Sequence, residues 1–115
     1  MKQLITGAFA LCFLASCSLT STTMIKPNDA FVLGNNEHGA FTVKLKNISD
    51  NDLKLWQAPI EGGRHSPVVV KPNNKVKVKV ARNTALRIEN NATTEASVEL
   101  VVTGDTGLSM GYKNQ

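Results

Sequence analysis

Cysteine is scarce in this chain, and both copies lie near one end. The chain has 115 residues and its two cysteines are Cys12 and Cys17, so residues 18–115 contain none. A disulfide framework in that part is excluded, and two histidines alone cannot complete a zinc site. The folded part must therefore be stabilised by packing. We expect no metal site and no cofactor.

Familiar catalytic motifs are missing as well. His38 lies in an Asn-Glu-His-Gly segment that is typical of a turn, and no Gly-x-Ser-x-Gly motif occurs. His65 precedes Ser66, but neighbouring residues of a strand point to opposite faces, so we expect a poor pairing of base and nucleophile. These observations predict a protein that is not an enzyme.

Long apolar runs are absent apart from one short segment, Leu4 to Phe13, which follows Met1-Lys2-Gln3. A transmembrane helix needs about 20 apolar residues, so this run is too short to span a bilayer. A charged start followed by a short apolar run is typical of a secretory signal. We therefore interpret residues 1–16 as a cleaved signal peptide.

The segment after the apolar run, Leu14-Ala15-Ser16-Cys17, resembles the lipobox of bacterial lipoproteins. The resemblance implies cleavage between Ser16 and Cys17 and attachment of a diacylglyceryl lipid to Cys17. It also implies a bacterial envelope protein whose partner is the membrane, bound through its N-terminal lipid. In the sorting rule of such lipoproteins, an Asp directly after the lipidated Cys retains the protein in the inner membrane. Ser18 occupies that position here, so the resemblance favours the periplasmic side of the outer membrane. An ordinary cleaved signal is the alternative.

Charge narrows the choice of partner further. The net charge is +4, and loss of Lys2 with the signal leaves +3. Such a mildly basic chain does not make nucleic acid the expected partner. A protein or glycan of the envelope is the partner class that we expect instead.

The remaining sequence shows period-two alternation in short segments separated by turn residues, with no sustained helical period. We predict that residues 17–29 form the lipidated N-terminus and a flexible tether, and that residues 30–115 form one all-β domain. The predicted fold is a single small β-sandwich of seven to eight short antiparallel strands, with a small β-barrel as the alternative. Its stretch from Phe41 to Asn90 resembles immunoglobulin-like sandwiches of envelope proteins.

Two of the predicted strands carry outward lysines, Lys44 and Lys46 on one and Lys75 to Lys79 on the other. Like charges directly opposite each other destabilise a sheet, so we expect these strands not to be neighbours, or Glu99 to lie between them. A solvated face that protects an edge strand is the favoured interpretation. Side-by-side pairing would favour a basic patch for phosphates, anionic lipids or an acidic partner.

Trp56 is the aromatic residue that departs from the alternation. If Leu53 and Leu55 point inward, Trp56 points outward, as a residue that binds a partner would. Together with Arg64 and His65 of the following loop, it forms the predicted partner-binding site. The alternative is that a bulge redirects Trp56, or that the loop between Pro59 and Pro67 covers it.

These features predict a membrane-anchored envelope lipoprotein that acts as a non-enzymatic binding or accessory module. Two further hypotheses stay open. The protein could be a small lipoprotein subunit of a secretion or surface-appendage complex. It could instead be a periplasmic inhibitor that inserts the loop from Glu61 to Ser66 into a hydrolase.

Overall fold

A computed structural model describes residues 18–113, and within this range the chain forms nine β-strands and no helix. The described residues thus contain no apolar helix long enough to cross a membrane. The strands are β1 (Ser18–Ile25), β2 (Asp29–Leu33), β3 (Phe41–Asn47), β4 (Leu53–Pro59), β5 (His65–Val70), β6 (Lys75–Val80), β7 (Thr84–Asn90), β8 (Ala96–Gly104) and β9 (Met110–Tyr112).

Two antiparallel sheets make up the domain. Sheet I has the strand order β1-β8-β3-β6, and sheet II has the order β5-β4-β7-β2-β9. Consecutive strands from β1 to β4 and from β5 to β8 alternate between the sheets, and β4 and β5 are neighbours in sheet II. This is the order of a jelly roll, with β9 added at the edge of sheet II. The prediction of an all-β sandwich is confirmed.

The immunoglobulin-like arrangement is not confirmed. In that arrangement the first two strands are neighbours in one sheet. Here β1 and β2 lie in different sheets, and β1 pairs with β8. The alternation of the sequence defines which residues face inward, but it contains no information about which strands are neighbours, so it could not separate the two topologies.

The core lies between the sheets and is built by alternate residues of facing strands. On β3, for example, Phe41, Val43 and Leu45 are at most 2% exposed. Asn47 and Asn90 are also fully buried at the ends of β3 and β7. Each accepts a hydrogen bond from the backbone N–H two residues on, and each side-chain amide donates to backbone carbonyls. These asparagines thus hold the turns that follow their strands.

The predicted tether is the clearest error in the domain boundaries. Residues 18–25 form β1, which pairs with β8 along its whole length. Its alternate residues face the core, and Thr23 and Ile25 are buried. The Ser/Thr-rich composition suggested a flexible linker, yet threonine is β-branched and suits a half-buried strand. The expected cleavage and lipidation residues, Ser16 and Cys17, lie outside the described residues.

Candidate functional site

The two lysine-bearing strands are direct neighbours. β3 and β6 pair in a register that puts Lys44 opposite Lys77 and Lys46 opposite Lys75. The expectation that these strands would be kept apart is therefore wrong. Repulsion between opposed like charges costs only tenths of a kcal/mol to about 1 kcal/mol per pair. The same register buries the inward residues of both strands, and that burial decides the pairing.

Glu99 does not separate the two strands. It lies on β8, opposite Lys46, on the side of β3 away from β6. Among residues 18–113, none of the ion pairs involves a lysine of β3 or β6, even though Glu99 is next to Lys46 in the sheet. With Lys79, which lies opposite Thr42, these strands present five lysines on the outer surface of sheet I. We call this surface the lysine face: Lys44, Lys46, Lys75, Lys77 and Lys79.

The outer surface of sheet I, which carries the lysine face, accounts for the net positive charge of the described residues. Residues 18–113 hold twelve of the chain's thirteen lysines and arginines and all nine of its acidic residues, a net charge of +3. On the outer surface of sheet I, five lysines stand against one acid, Glu99, which gives +4. The rest of the domain therefore carries a net charge of −1. The molecule is electrostatically one-sided.

A shallow concavity of about 440 Å³ lies within this face. Lys44, Lys46, Lys75 and Lys77 line it together with one acid, Glu99, and Val101 of β8 contributes apolar surface. Four lysines and one glutamate around an open depression suit a flat or extended anion better than an enclosed small molecule.

The opposite face of the sandwich also carries cations, but these are paired. Trp56 lies on the outer surface of sheet II, with Lys54 Nζ 4.8 Å and Arg64 Cζ 5.5 Å from its ring centroid. Its indole N–H donates to Glu89 Oε1 at 3.2 Å. Glu89 Oε2 also accepts from Arg87 Nε at 2.6 Å and from the Arg64 guanidinium at 3.1 Å. We call these five residues the tryptophan cluster.

Glu89 is the centre of that cluster. Its side chain is 12% exposed, and those of Arg87 and Arg64 are 18% and 48% exposed. Burial raises the pKa of Glu89, but hydrogen bonds and charge from Arg87, the bond from Trp56 and the charge of Arg64 together hold this pKa below its usual value. The cluster is therefore a compensated charge network.

The structure brings two of the three predicted partner-binding residues together. Arg64 folds back over Trp56, which corresponds to the alternative in which the loop covers the ring. A bulge lies in the β4–β5 pairing between Leu55 and Gln57, beside Trp56. His65 is paired with Gln57 at the start of β5 and is exposed, and the structure gives it no contact with the indole ring.

His65 and Ser66 do not point apart as expected. Ser66 has a φ of 57°, and this turn of the backbone brings its Oγ within 2.8 Å of His65 Nδ1. The opposed orientation assumed a regular strand, and a positive φ breaks it. Both side chains are exposed, so the pair lacks the water-excluding surroundings that favour nucleophilic catalysis.

A second concavity, of about 500 Å³, lies on the outer surface of sheet II. Small residues such as Ala58, Ala85 and Gly111 line it, and Arg87 connects it to the tryptophan cluster. Trp56, Arg64 and His65 are not among its lining residues. Sequence reasoning missed Arg87 and Glu89. Their i, i+2 spacing on one strand was a signal that they share a face.

Metal-binding clusters are not found in the part of the chain that the structure describes, where no three His, Cys, Asp or Glu side chains converge. His38 contacts the carbonyl oxygens of Gly39 and Thr84 and packs edge-on against Phe41, so its contacts are those of a structural residue. The sandwich interior is filled by apolar side chains. The accessible chemistry of residues 18–113 therefore lies on the two outer faces.

The class of fold is thus a jelly roll, or double-stranded β-helix, with a cationic outer face. No protein-family model matches the chain, and no curated protein matches its sequence. Solved structures of this fold are similar to it. The capsular polysaccharide assembling protein CapF of Staphylococcus aureus matches with a TM-score of 0.56 and 18% identity, over 74% of this chain and 24% of CapF. The chain therefore spans about a quarter of CapF.

Two further structures support the same fold. A conserved Klebsiella pneumoniae protein with a double-stranded β-helix domain matches with a TM-score of 0.54 and 11% identity, over 82% of this chain and 74% of its own length. A sugar phosphate isomerase of the cupin superfamily from Silicibacter pomeroyi matches with a TM-score of 0.51 and 12% identity, over 85% of this chain and 57% of the isomerase. At these identities the likeness shows the fold alone.

These neighbours overturn the expectation that the protein is not an enzyme. One of them is described as a sugar phosphate isomerase, and CapF has been solved with an inhibitor. Enzymes are thus found on this fold. The missing sequence motifs were a wrong basis for the exclusion, because activity depends on a site that is built onto a fold and that general motifs need not reveal.

Proposed function

We propose that this protein is a lipid-anchored binding or accessory module of the bacterial envelope, and that the lysine face is its binding surface for an anionic partner. The lipobox-like segment supports the anchor on Cys17. The lysines of β3 and β6, which form no ion pair within residues 18–113, support the anionic partner. Phosphate or carboxylate groups arranged on an extended surface are the ligand chemistry that this face fits.

The register that sets lysines of β3 directly opposite lysines of β6 is the single observation that carries this proposal. A solvated surface needs no opposed lysines, and each opposed pair costs stability. Lys44 opposite Lys77 and Lys46 opposite Lys75 leave both repulsive pairs without a neutralising acid between them. An anion bound across β3 and β6 would relieve that repulsion, which is a physical reason for retaining the arrangement.

Envelope fractionation and crosslinking in intact cells test the proposal. We expect the wild-type chain to be found in the membrane fraction, with a mature N-terminus at Cys17 that carries lipid in mass spectra. Cys17→Ala should release the protein from that fraction. Crosslinks from the lysine face should identify an anionic partner and should disappear when Lys44, Lys75 and Lys77 are changed to Glu.

The matched control is Lys54→Glu with Lys71→Glu, which changes lysines outside the lysine face. Lys54 stacks on Trp56, and Lys71 pairs with Asp52 at 3.1 Å. This control variant should keep the partner crosslinks. A Cys17→Ala protein that stays in the membrane fraction would contradict the anchor, and crosslinks that survive the charge reversal would contradict the binding surface.

The inhibitor hypothesis has one specific observation in its favour. The loop between β4 and β5 is exposed, and space is open around the Cβ positions of Gly62 and Gly63. Its tip therefore projects, although Arg64 returns to the tryptophan cluster. Binding of the purified protein to envelope hydrolases, compared with a variant that shortens residues 61–63, tests this second candidate. Equal inhibition by both proteins would exclude the loop as the inhibitory element.

A further inference from the structure

The lysine face and the proposed anchor position belong to the same sheet. β1 begins at Ser18, directly after Cys17, and is paired with β8 from this first residue, where Ser18 lies opposite Thr103. A lipid on Cys17 would therefore be attached next to a corner of sheet I, without the tether that the sequence suggested. The anchor would then control how the domain lies on the membrane.

The five lysines lie across the sheet from that corner, about 12 to 20 Å from Ser18 by strand geometry. Lys79 shares a cross-strand row with Ser18 through Thr42 and Thr103. Strand residues are spaced by about 3.4 Å and neighbouring strands by about 4.8 Å. Lys75, the most distant of the five, is then about 14 Å along the strands and about 14 Å across the sheet from Ser18. A surface that touches Ser18 can also touch the lysine face.

The surface between the corner and the lysines presents little that would oppose this contact. Thr20 and Thr22 of β1 and Val101 of β8 are uncharged. Met24 follows on the same outer surface and is 49% exposed. The one acid, Glu99, lies in the row of Lys75, away from Ser18. The outer surface of sheet I is thus cationic along one side and neutral along the side of the anchor.

We propose that the lysine face lies against the anionic phospholipid headgroups of the leaflet that holds the anchor, an inference that rests on the proposed function. Charge complementarity selects this occupant. The outer surface of sheet I carries +4 and the remainder of residues 18–113 carries −1, so an anionic surface attracts one side of the domain. That attraction falls off within a Debye length of about 10 Å at 0.1 M salt, and a lipid on Cys17 would allow the face to lie within that range.

Amine footprinting of the lipidated protein in vesicles tests this orientation. The mature protein is purified from cells and reconstituted into phosphatidylcholine vesicles, with and without phosphatidylglycerol. Acylation of each lysine is then measured by mass spectrometry. We expect Lys44, Lys75, Lys77 and Lys79 to be acylated several-fold more slowly on the anionic vesicles. The difference should shrink at high salt.

Lys54 and Lys71 are internal controls and should react equally on both kinds of vesicle. A Lys75→Gln, Lys77→Gln, Lys79→Gln variant should lose the difference at Lys44. Its folding can be followed through Trp56, the only tryptophan, which lies on the opposite sheet. Equal acylation of the lysine face on both vesicles would overturn the proposal.

Two other outcomes would assign the face to a different occupant and also overturn the proposal. In one arm, inorganic phosphate is added to the neutral vesicles, and protection there would indicate a site for free phosphate. Protection found only in intact cells would indicate an acidic protein. Absence of lipid on the purified protein would instead contradict the anchor itself, so failure of the proposed function can be distinguished from failure of this inference.

Discussion

The two outer faces of this sandwich handle similar positive charges in opposite ways. On sheet II, Lys54, Arg64 and Arg87 gather around Trp56 and a single carboxylate, Glu89. On sheet I, five lysines face solvent with no ion pair among the described residues. The charges on sheet II are compensated by contacts within the fold, whereas the lysines on sheet I remain available to a partner.

This difference separates a face with a structural role from the face for which we propose binding. Its outward position and aromatic type predict that Trp56 binds a partner, yet its indole is covered by Arg64 and hydrogen-bonded to Glu89. The lysines first suggested an ordinary solvated surface, yet their register opposes like charges. Whether a residue's interactions are already satisfied within the fold is thus a better indicator of binding than its type.

The two glutamates give the largest test of this comparison, since each face has one. Glu89→Gln removes the charge that compensates Arg87 and Arg64, both partly shielded from water. We expect it to lower the free energy of unfolding by about 2 kcal/mol, measured by urea denaturation, without weakening binding to anionic vesicles.

Glu99→Gln is the matched change on the lysine face. Glu99 is exposed and forms no ion pair within residues 18–113, so its stability effect should be within about 0.5 kcal/mol. Binding to anionic vesicles should become tighter, because the face gains a unit of net positive charge. A larger loss of stability for Glu99→Gln than for Glu89→Gln would reverse the roles of the two faces.

Much of the fold could be predicted because alternation directly reports burial. The strands around Phe41, Leu53, Val78 and Val98 were expected from period-two patterns, and the structure contains each of them. β1 was missed because Thr23 is buried as a polar residue, which a hydrophobicity pattern does not reveal. Strand order was also beyond reach, because it depends on contacts between segments distant in sequence.

The candidate site shows the same limit. The lysines themselves were visible in the sequence, but their pairing follows from the β3–β6 contact. The stabilisation from burying Leu45 and Val43 in this register exceeds the repulsion between the opposed lysines, and the sequence-based expectation had assumed the reverse. The His65–Ser66 contact depends on a positive φ at a non-glycine residue, which no residue pattern in this segment signals.

Replacing one lysine on each face is a smaller test, in which the two substitutions should change the stability of the fold in opposite directions. Lys77→Thr removes the repulsion with Lys44 and places a β-branched residue, which suits a strand, at this position. We expect stability to rise by about 0.5 kcal/mol at low ionic strength, with a gain that diminishes as salt is added. Thermal unfolding at several salt concentrations measures it.

Lys54→Thr provides the matched change on sheet II. Lys54 Nζ lies over the Trp56 ring and Lys54 is next to Glu89 in the sheet. Its loss should lower stability by about 0.5 kcal/mol. If both substitutions stabilised the protein, the cations of the tryptophan cluster would be as uncompensated as those of the lysine face.

Acid unfolding provides the smallest and most selective test. The pKa of Glu89 is raised by burial but lowered more by Arg87, Trp56 and Arg64, so it lies below its usual value of 4.5. The folded protein then binds fewer protons at this site than the unfolded chain, and stability falls as the pH drops from 4.5 through the lowered pKa.

The stability difference between wild type and Glu89→Gln should therefore be complete above pH 4.5 and shrink below it. Urea unfolding across this range measures that difference. A pH-independent difference would mean that Glu89 stabilises the cluster through hydrogen-bond geometry alone, and that charge compensation is not what distinguishes the two faces.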